Sequence, residues 1–229
     1  MPQRNRLVEA LPARDRGRLV AAADVVTLTF ECVLNEAGAP IPHVYFPLTS
    51  LISVIMPVDA TASLEVGLIG NEGLFGIPLA LDVDVSPIRA VVQGAGTALC
   101  LSAARFRREL QRSKALHRAI DRYVFVRLNQ LAQTAACTRF HVVEARLARW
   151  LLMTQDRVHA DSFHITHEFL AAMLGVRRVG VTRAASSLQR LGLIRYSRGN
   201  IDVLDRRGLR IASCACYEAD IDSYARMFG

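Results

Sequence analysis

Residues 165–205 constrain the fold more than any other part of this chain. They read ITHEFLAAMLGVRRVGVTRAASSLQRLGLIRYSRGNIDVLD. Thr166 is placed to cap a helix, because its hydroxyl can accept from a free backbone N–H of the first turn. Phe169, Leu170, Met173 and Leu174 follow at helical spacing. Gly175 supplies a residue that adopts positive φ without strain at a tight turn. A second helix is expected over about 177–191, with Val181, Ala184, Ala185, Leu188 and Leu191 inward. Arg177, Arg178, Thr182, Arg183 and Arg190 then lie largely on the opposite side. Gly192 ends that helix. Two short strands, 193–196 and 200–204, flank the turn Ser197-Arg198-Gly199-Asn200. Two helices, a glycine turn and a hairpin make a winged helix-turn-helix. Arginines opening its second helix suit insertion into a DNA major groove. The plain alternative is an amphipathic helix pair whose arginines are merely solvated.

Charge is distributed in keeping with a nucleic-acid partner. The chain of 229 residues carries a net +7, but residues 31–100 stand at −6, with Arg89 their single basic residue. Residues 101–137 stand at +6 and residues 138–229 at +5. An acidic first half joined to a basic second half fits a sensor or scaffold attached to a polyanion-binding module. Lys114 is the one lysine among 28 basic residues. Arginine enrichment aids phosphate and guanine contacts, and a GC-rich genome produces the same bias.

At 52% hydrophobic residues the chain can bury a large core, yet it has no apolar run of about 18 residues. The first twenty residues lack a secretory apolar region, so a cytoplasmic protein is expected. The five cysteines, Cys32, Cys100, Cys137, Cys214 and Cys216, follow no secreted disulfide pattern. Cys214 and Cys216 form a C-x-C pair without neighbouring ligands at zinc-finger spacing, so no metal is expected there. His159, His164 and His167 lack a metalloprotease spacing and read as solvated or capping residues.

Between about 25 and 101 short strand-like segments alternate with turns. The segments are VVTLTFECVL, HVYFPL, SLISVIMPV, SLEVGLIG and AVVQGAGTALCL. The turns are Glu36–Pro40, Asp59-Ala60-Thr61, Gly70–Gly73 and Gly94-Ala95-Gly96. Many short strands with glycine turns predict an antiparallel β-roll of jelly-roll type. Residues 5–24 predict one or two short helices broken near Pro12, and residues 103–111 another. Leu116, Ile120, Val124 (with Tyr123), Leu128, Leu131 and Ala135 then form an apolar stripe on a longer helix. Such a stripe beside a DNA-binding domain reads as a dimer seam, or else as a helix packed on its own β-roll. A further helix is expected over about 142–156, with a hinge near 137–141. The expected organisation is α+β: a β-roll sensor domain over 1–111, a dimerisation helix over 112–137 and a winged helix-turn-helix over 138–229.

This arrangement resembles the Crp/Fnr family of bacterial transcription regulators across nearly the whole chain. The similarity is strongest in VTRAASSLQRLGLI, RGNIDVLDRRGL and EARLARWLL, with VYFPLTSLISV and GNEGLFGIPLAL fitting the family's β-roll. The resemblance implies base reading by the start of the second helix, where Arg177, Arg178 and Arg183 stand. Arg178 and Arg183 could each grip guanine or clamp a phosphate. Gly180 would allow close approach, and Thr182 could touch a phosphate or a thymine methyl. Many relatives place a glutamate where this chain has Val179, so the operator should differ. Thr166 and Arg198 are expected as backbone contacts.

The sensing half departs from nucleotide-binding relatives. The family's Gly-Glu and Arg-Ser or Arg-Thr cassette is replaced by Gly76-Ile77 and Ile88-Arg89, and Leu131-Ala132 stands where relatives present hydroxyls to adenine. Cyclic AMP is therefore not expected, nor an iron–sulfur cluster, since the N-terminal cysteine group is missing. No cofactor is assigned. An unidentified effector between roll and helix would meet Phe75, Gly76, Ile77, Arg89, Tyr123 and Arg127. The leading expectation is a homodimeric regulator on double-stranded DNA, without a membrane. The alternative is a small-molecule or redox-responsive binding protein whose helix-turn-helix mediates protein contacts. An enzyme is disfavoured, as no nucleophile–base pair, phosphate loop or metal motif stands out.

Overall fold

Seven strands form where the sequence alternates between apolar and turn residues. In the computed structural model, which describes residues 4–59 and 63–229, they are β1 (Asp24–Leu28), β2 (Val33–Asn35), β3 (His43–Pro47), β4 (Leu51–Pro57), β5 (Ser63–Ile69), β6 (Arg89–Gly94) and β7 (Gly96–Ser102). The turn expected at Asp59-Ala60-Thr61 lies partly outside the described residues. All pairings are antiparallel, in two sheets ordered β1-β7-β3 and β2-β6-β4-β5. Val44, Phe46, Ile52, Val54, Ala90, Val92, Ala98 and Leu101 fill the space between them. The long apolar segment at 25–34 divides into two strands, because the chain turns at Glu31, which has φ 64°.

Short helices close this roll. Pro12 separates α1 (Arg6–Glu9) from α2 (Ala13–Ala22), standing as the N-cap of the latter. With α3 (Ala103–Arg112) they add Leu7, Val8, Leu11, Leu19 and Phe106 to the same core.

The central helix, α4 (Lys114–Phe140), starts at Ser113, whose side chain accepts from the Leu116 N–H. It continues through Phe140, so the residues expected as a hinge are its last turn and the break falls at His141. Its apolar stripe serves two surfaces. Leu116, Ala119, Ile120 and Tyr123 enter the roll core, whereas Phe125, Leu128 and Leu131 are 50%, 59% and 37% exposed. Arg127 is buried, donating from Nη1 to the Leu68 carbonyl (3.1 Å) and to Gln130 Oε1 (2.9 Å).

The C-terminal unit comprises α5 (Val143–Val158), β8 (Ser162–His164), α6 (His167–Leu174), α7 (Arg178–Arg190), β9 (Ile194–Ser197), β10 (Asn200–Val203), α8 (Arg206–Ala212) and α9 (Cys216–Phe228). Its core joins Leu147, Leu151 and Leu152 to Leu170, Leu174, Val181, Ala185, Leu188, Ile194, Ile201 and Leu209. Leu191, expected inward, is 60% exposed because it follows the last helical residue. The hairpin gains β8 as a third strand, in the order β8-β10-β9.

Helix α9 returns along α4 to the roll, where Tyr224 Oη donates to the Glu72 carbonyl at 2.9 Å. Two further links join the units. Trp150 Nε1 donates to Glu65 Oε1 (2.9 Å), and Arg157 Nε to Glu72 Oε1 (2.8 Å). Helix α6 lies against the β4–β6 face, where Met173 and Phe169 meet Ile55 and Val91. No helix among the described residues is long and apolar enough to cross a membrane.

Candidate nucleic-acid interface

Local chemistry sets each part of the helix-turn-helix. The Thr166 hydroxyl accepts from the Phe169 N–H at 3.1 Å, satisfying one orphan donor at the start of α6. Gly175 ends α6 in the left-handed conformation, φ 61°, and a side chain there would be strained. Arg177 is the N-cap of α7 and Arg178 its first residue. With Val181, Ala184, Ala185 and Leu188 buried, the outer face of α7 presents Arg178, Val179, Thr182, Arg183, Ser186 and Arg190.

The arginines on this face are uncompensated. Arg177, Arg178, Arg183 and Arg198 are exposed, and none has an acidic partner among the described residues. Some other surface arginines of the same unit are paired, as Arg195 is with Asp202 (2.9 Å) and Arg206 with Asp156 (2.6 Å). A concentrated positive field with free guanidinium donors favours polyanions. The N-terminal end of α7 adds its free N–H groups and partial positive charge.

The wing turn places Arg198 at φ 49° and Gly199 at φ 82°, two successive left-handed residues as a tight two-residue hairpin needs. Gly180 faces open space, since a Cβ there would meet nothing closer than Val176 at 3.9 Å. Its small size is thus not demanded by the protein's own packing. Thr182 Oγ1 donates to the Arg178 carbonyl or pairs with His167 Nδ1, both at 3.1 Å.

His167, expected as a solvated or capping residue, is instead an organising one. Its ring stacks on Tyr196 with centroids 4.3 Å apart and 12° between planes. Tyr196 Oη in turn donates to the Ile165 carbonyl at 3.0 Å. This stack joins the start of α6, the recognition face and the wing. Burial, with Arg178 nearby, lowers the His167 pKa. The neutral ring is therefore favoured, consistent with its packing among cations. A histidine and a tyrosine 29 positions apart carry no periodic signal. His164 bonds Asn200 Oδ1 (3.0 Å) and meets Phe30 edge-on, and His159 caps α5 at φ 52°.

The residues expected around an effector divide into separate places. Phe75 and Tyr123 are buried in the roll core, with Ile77 packed against it. Gly76 adopts φ 108°, and a Cβ there would strike Val44 Cγ2 at 2.8 Å, so its glycine has a structural cause. Tyr123 lies over Gly73, where a Cβ would fall 2.0 Å from its hydroxyl. Arg127 spans the space above Gly67. Arg89, by contrast, points outward and pairs with Glu36 at 3.0 Å.

Residues 145–211 match the Crp-like helix-turn-helix domain family. No curated protein sequence matches the chain. Solved structures share its fold over most of its length. The global regulator CLP of Xanthomonas campestris, described as c-di-GMP-responsive, is 19% identical with a TM-score of 0.68, over 84% of this chain and 99% of that one. FixK2 of Bradyrhizobium japonicum is 14% identical with a TM-score of 0.71, over 84% and 98%. A Crp/Fnr-family transcriptional regulator of Thermus thermophilus is 20% identical with a TM-score of 0.68, over 83% and 98%. The chain therefore has the fold of Crp/Fnr regulators, a cyclic-nucleotide-binding-like roll before a winged helix-turn-helix, and its residues 145–211 are a Crp-like helix-turn-helix domain.

Proposed function

We propose that this protein is a DNA-binding transcription regulator of the Crp/Fnr type, acting as a homodimer on a two-fold operator in the cytoplasm. The observation that carries the reading is the row of exposed, uncompensated arginines at the start of α7, set within a Crp-like helix-turn-helix. Arg178 and Arg183 are assigned to bases, and Arg177, Thr166, Thr182 and Arg198 to positioning contacts. Half-sites should lie about one helical turn, roughly 10 base pairs, apart.

The test is fluorescence anisotropy on an operator enriched from random duplex DNA. Arg178→Ala or Arg183→Ala should each weaken binding by about 1–3 kcal/mol and relax preference at one position. Arg198→Ala should weaken all sequences alike and reduce the salt slope by about one. Affinity that ignores salt and both classes of substitution would transfer the reading to a protein-binding helix-turn-helix.

The dimer reading rests on the half of α4 that the roll leaves uncovered. Phe125, Leu128 and Leu131 remain exposed along it, with Ala132 and Ala135 beside them. Fully burying each large side chain is worth about 1.5–3 kcal/mol. Leu128→Glu should shift the protein to monomer in sedimentation and abolish binding to a two-fold site. A fully dimeric variant would place the seam elsewhere.

Regulation by cyclic AMP is not part of this reading. Ile77 and Ile88 pack against the apolar core, Arg89 is engaged by Glu36, and Arg127 by Leu68 and Gln130. Operator affinity should be unchanged by cyclic AMP.

A further inference from the structure

Three of the five cysteines converge on one histidine at the joint between α4 and the C-terminal unit. Cys137 and His141 stand one turn apart at the end of α4, while Cys214 and Cys216 lead into α9. One donor atom from each of these four residues lies within 4.8 Å of all the others. Cys137 Sγ is 3.5 Å from Cys214 Sγ, and Cys216 Sγ is 3.4 Å from His141 Nδ1. The three cysteines are buried and His141 is half-buried.

We propose that Cys137, His141, Cys214 and Cys216 form a tetrahedral site for a single zinc-class divalent cation, fastening the end of the central helix to the start of α9. Three thiolates with one imidazole are a soft donor set that selects zinc over oxygen-seeking cations. Zinc–sulfur bonds of about 2.3 Å in a tetrahedron hold ligand atoms roughly 3.8 Å apart, close to the spacings found here. A multi-iron cluster, with metals separated by bridging sulfides, would need its outer ligands further apart. A disulfide between Cys137 and Cys214 would account for two of the residues and leave the convergence of Cys216 and His141 without a cause.

The surroundings match the charge of such a site. Three thiolates and one zinc ion leave a net −1. Arg149 lies close enough to Cys137, and Arg146 to Cys137 and Cys214, for their charges to act on these thiols. Gln133 Nε2 donates to Cys216 Sγ at 2.8 Å, the kind of outer hydrogen bond that orients a metal ligand. Arg149 also bonds Asp220 of α9 at 2.5 Å, so the same arginine joins the site to the helix it fixes. The cation would set the angle between the central helix and the DNA-binding unit.

The test is the metal content of the full chain, expressed with supplementary zinc and purified anaerobically without chelators. About one zinc per chain is expected, released by a mercurial reagent as the three thiols react. Replacing zinc with cobalt(II) should give the intense visible bands of a tetrahedral ion and near-ultraviolet thiolate-to-cobalt absorption. Cys214→Ser and His141→Ala should lower occupancy at least tenfold, while Cys32→Ser and Cys100→Ser should retain it. Should Cys214→Ser fail to fold, the zinc content and cobalt spectrum of the unaltered chain decide. Five freely titrating thiols without bound metal would overturn the proposal, as would a Cys137–Cys214 disulfide found by peptide mass spectrometry. Metal content is read without DNA, so its outcome is separate from that of the operator experiments.

Discussion

Replacing Arg157 with alanine should cost about 3–5 kcal/mol of folding stability, the scale for removing one partner of a buried ion pair. Arg157 leaves α5 and meets Glu72 in the turn after β5, with side chains 10% and 11% exposed. Burial alone would lower the arginine pKa, but the Glu72 carboxylate, with the fields of Asp220 and Asp156, raises it. Without Arg157, the Glu72 carboxylate keeps, among the described residues, only the Gly70 N–H donating to Oε2 at 3.1 Å. That is too little to replace a lost hydration shell. Arg157→Met combined with Glu72→Leu removes both charges at similar volume and should recover most of the loss. Urea unfolding at pH 7 measures all three proteins. A single-variant loss below about 1 kcal/mol would mean that the pair behaves as an exposed one. Because the pair bridges roll and helix-turn-helix unit, its loss should also loosen their docking, seen as faster amide exchange in β5 and α5.

What the sequence disclosed follows from the range of its signals. The helix-turn-helix was legible because its determinants are local: Thr166 capping, Gly175 turning and the apolar periodicity of α6 and α7 each act within a few residues. The roll was legible at the level of strands and turns, through segments bounded by glycine and proline. Periodicity marks an apolar face without naming its partner, which is why the α4 stripe reads as one seam yet divides between roll and solvent. Helix α9 was missed because its buried positions include Asp220, a carboxylate that looks like surface until Arg149 is seen beside it. The Cys137–Cys216 convergence was hidden for a related reason. The C-x-C pair finds its companions 77 and 75 positions back in the chain, beyond any spacing rule. The residues proposed to read bases came within reach of sequence because charge and helix position are local, whereas the His167–Tyr196 stack beside them required tertiary structure.

The second large effect is on pH dependence and centres on Glu65, the carboxylate between roll and α5. Its pKa is pushed up from 4.5 to about 7, first by burial. Hydrogen bonds from Ser53 Oγ (2.6 Å) and Trp150 Nε1 (2.9 Å), with the fields of Arg157 and Arg127, oppose the rise without cancelling it. Between these values the folded state holds a proton that the unfolded chain has released. Stability from this group is therefore fully present below about pH 4.5 and is lost as pH rises through about 7. At about 1.4 kcal/mol per unit, the loss across that window is on the order of 3 kcal/mol. Glu65→Gln should remove this slope, since an amide keeps an acceptor for Trp150 and presents an NH₂ to Ser53 without ionising. Urea titrations at pH 5 and pH 8 provide the comparison: the variant should gain on the unaltered chain by roughly 2.5 kcal/mol between them. Parallel pH profiles for the two proteins would show that Glu65 is already ionised in the folded state. Trp150 belongs to the helix-turn-helix unit and Ser53 to the roll. Deprotonation therefore acts on the contact that holds the two together, and indole fluorescence should report its loosening over the same pH window.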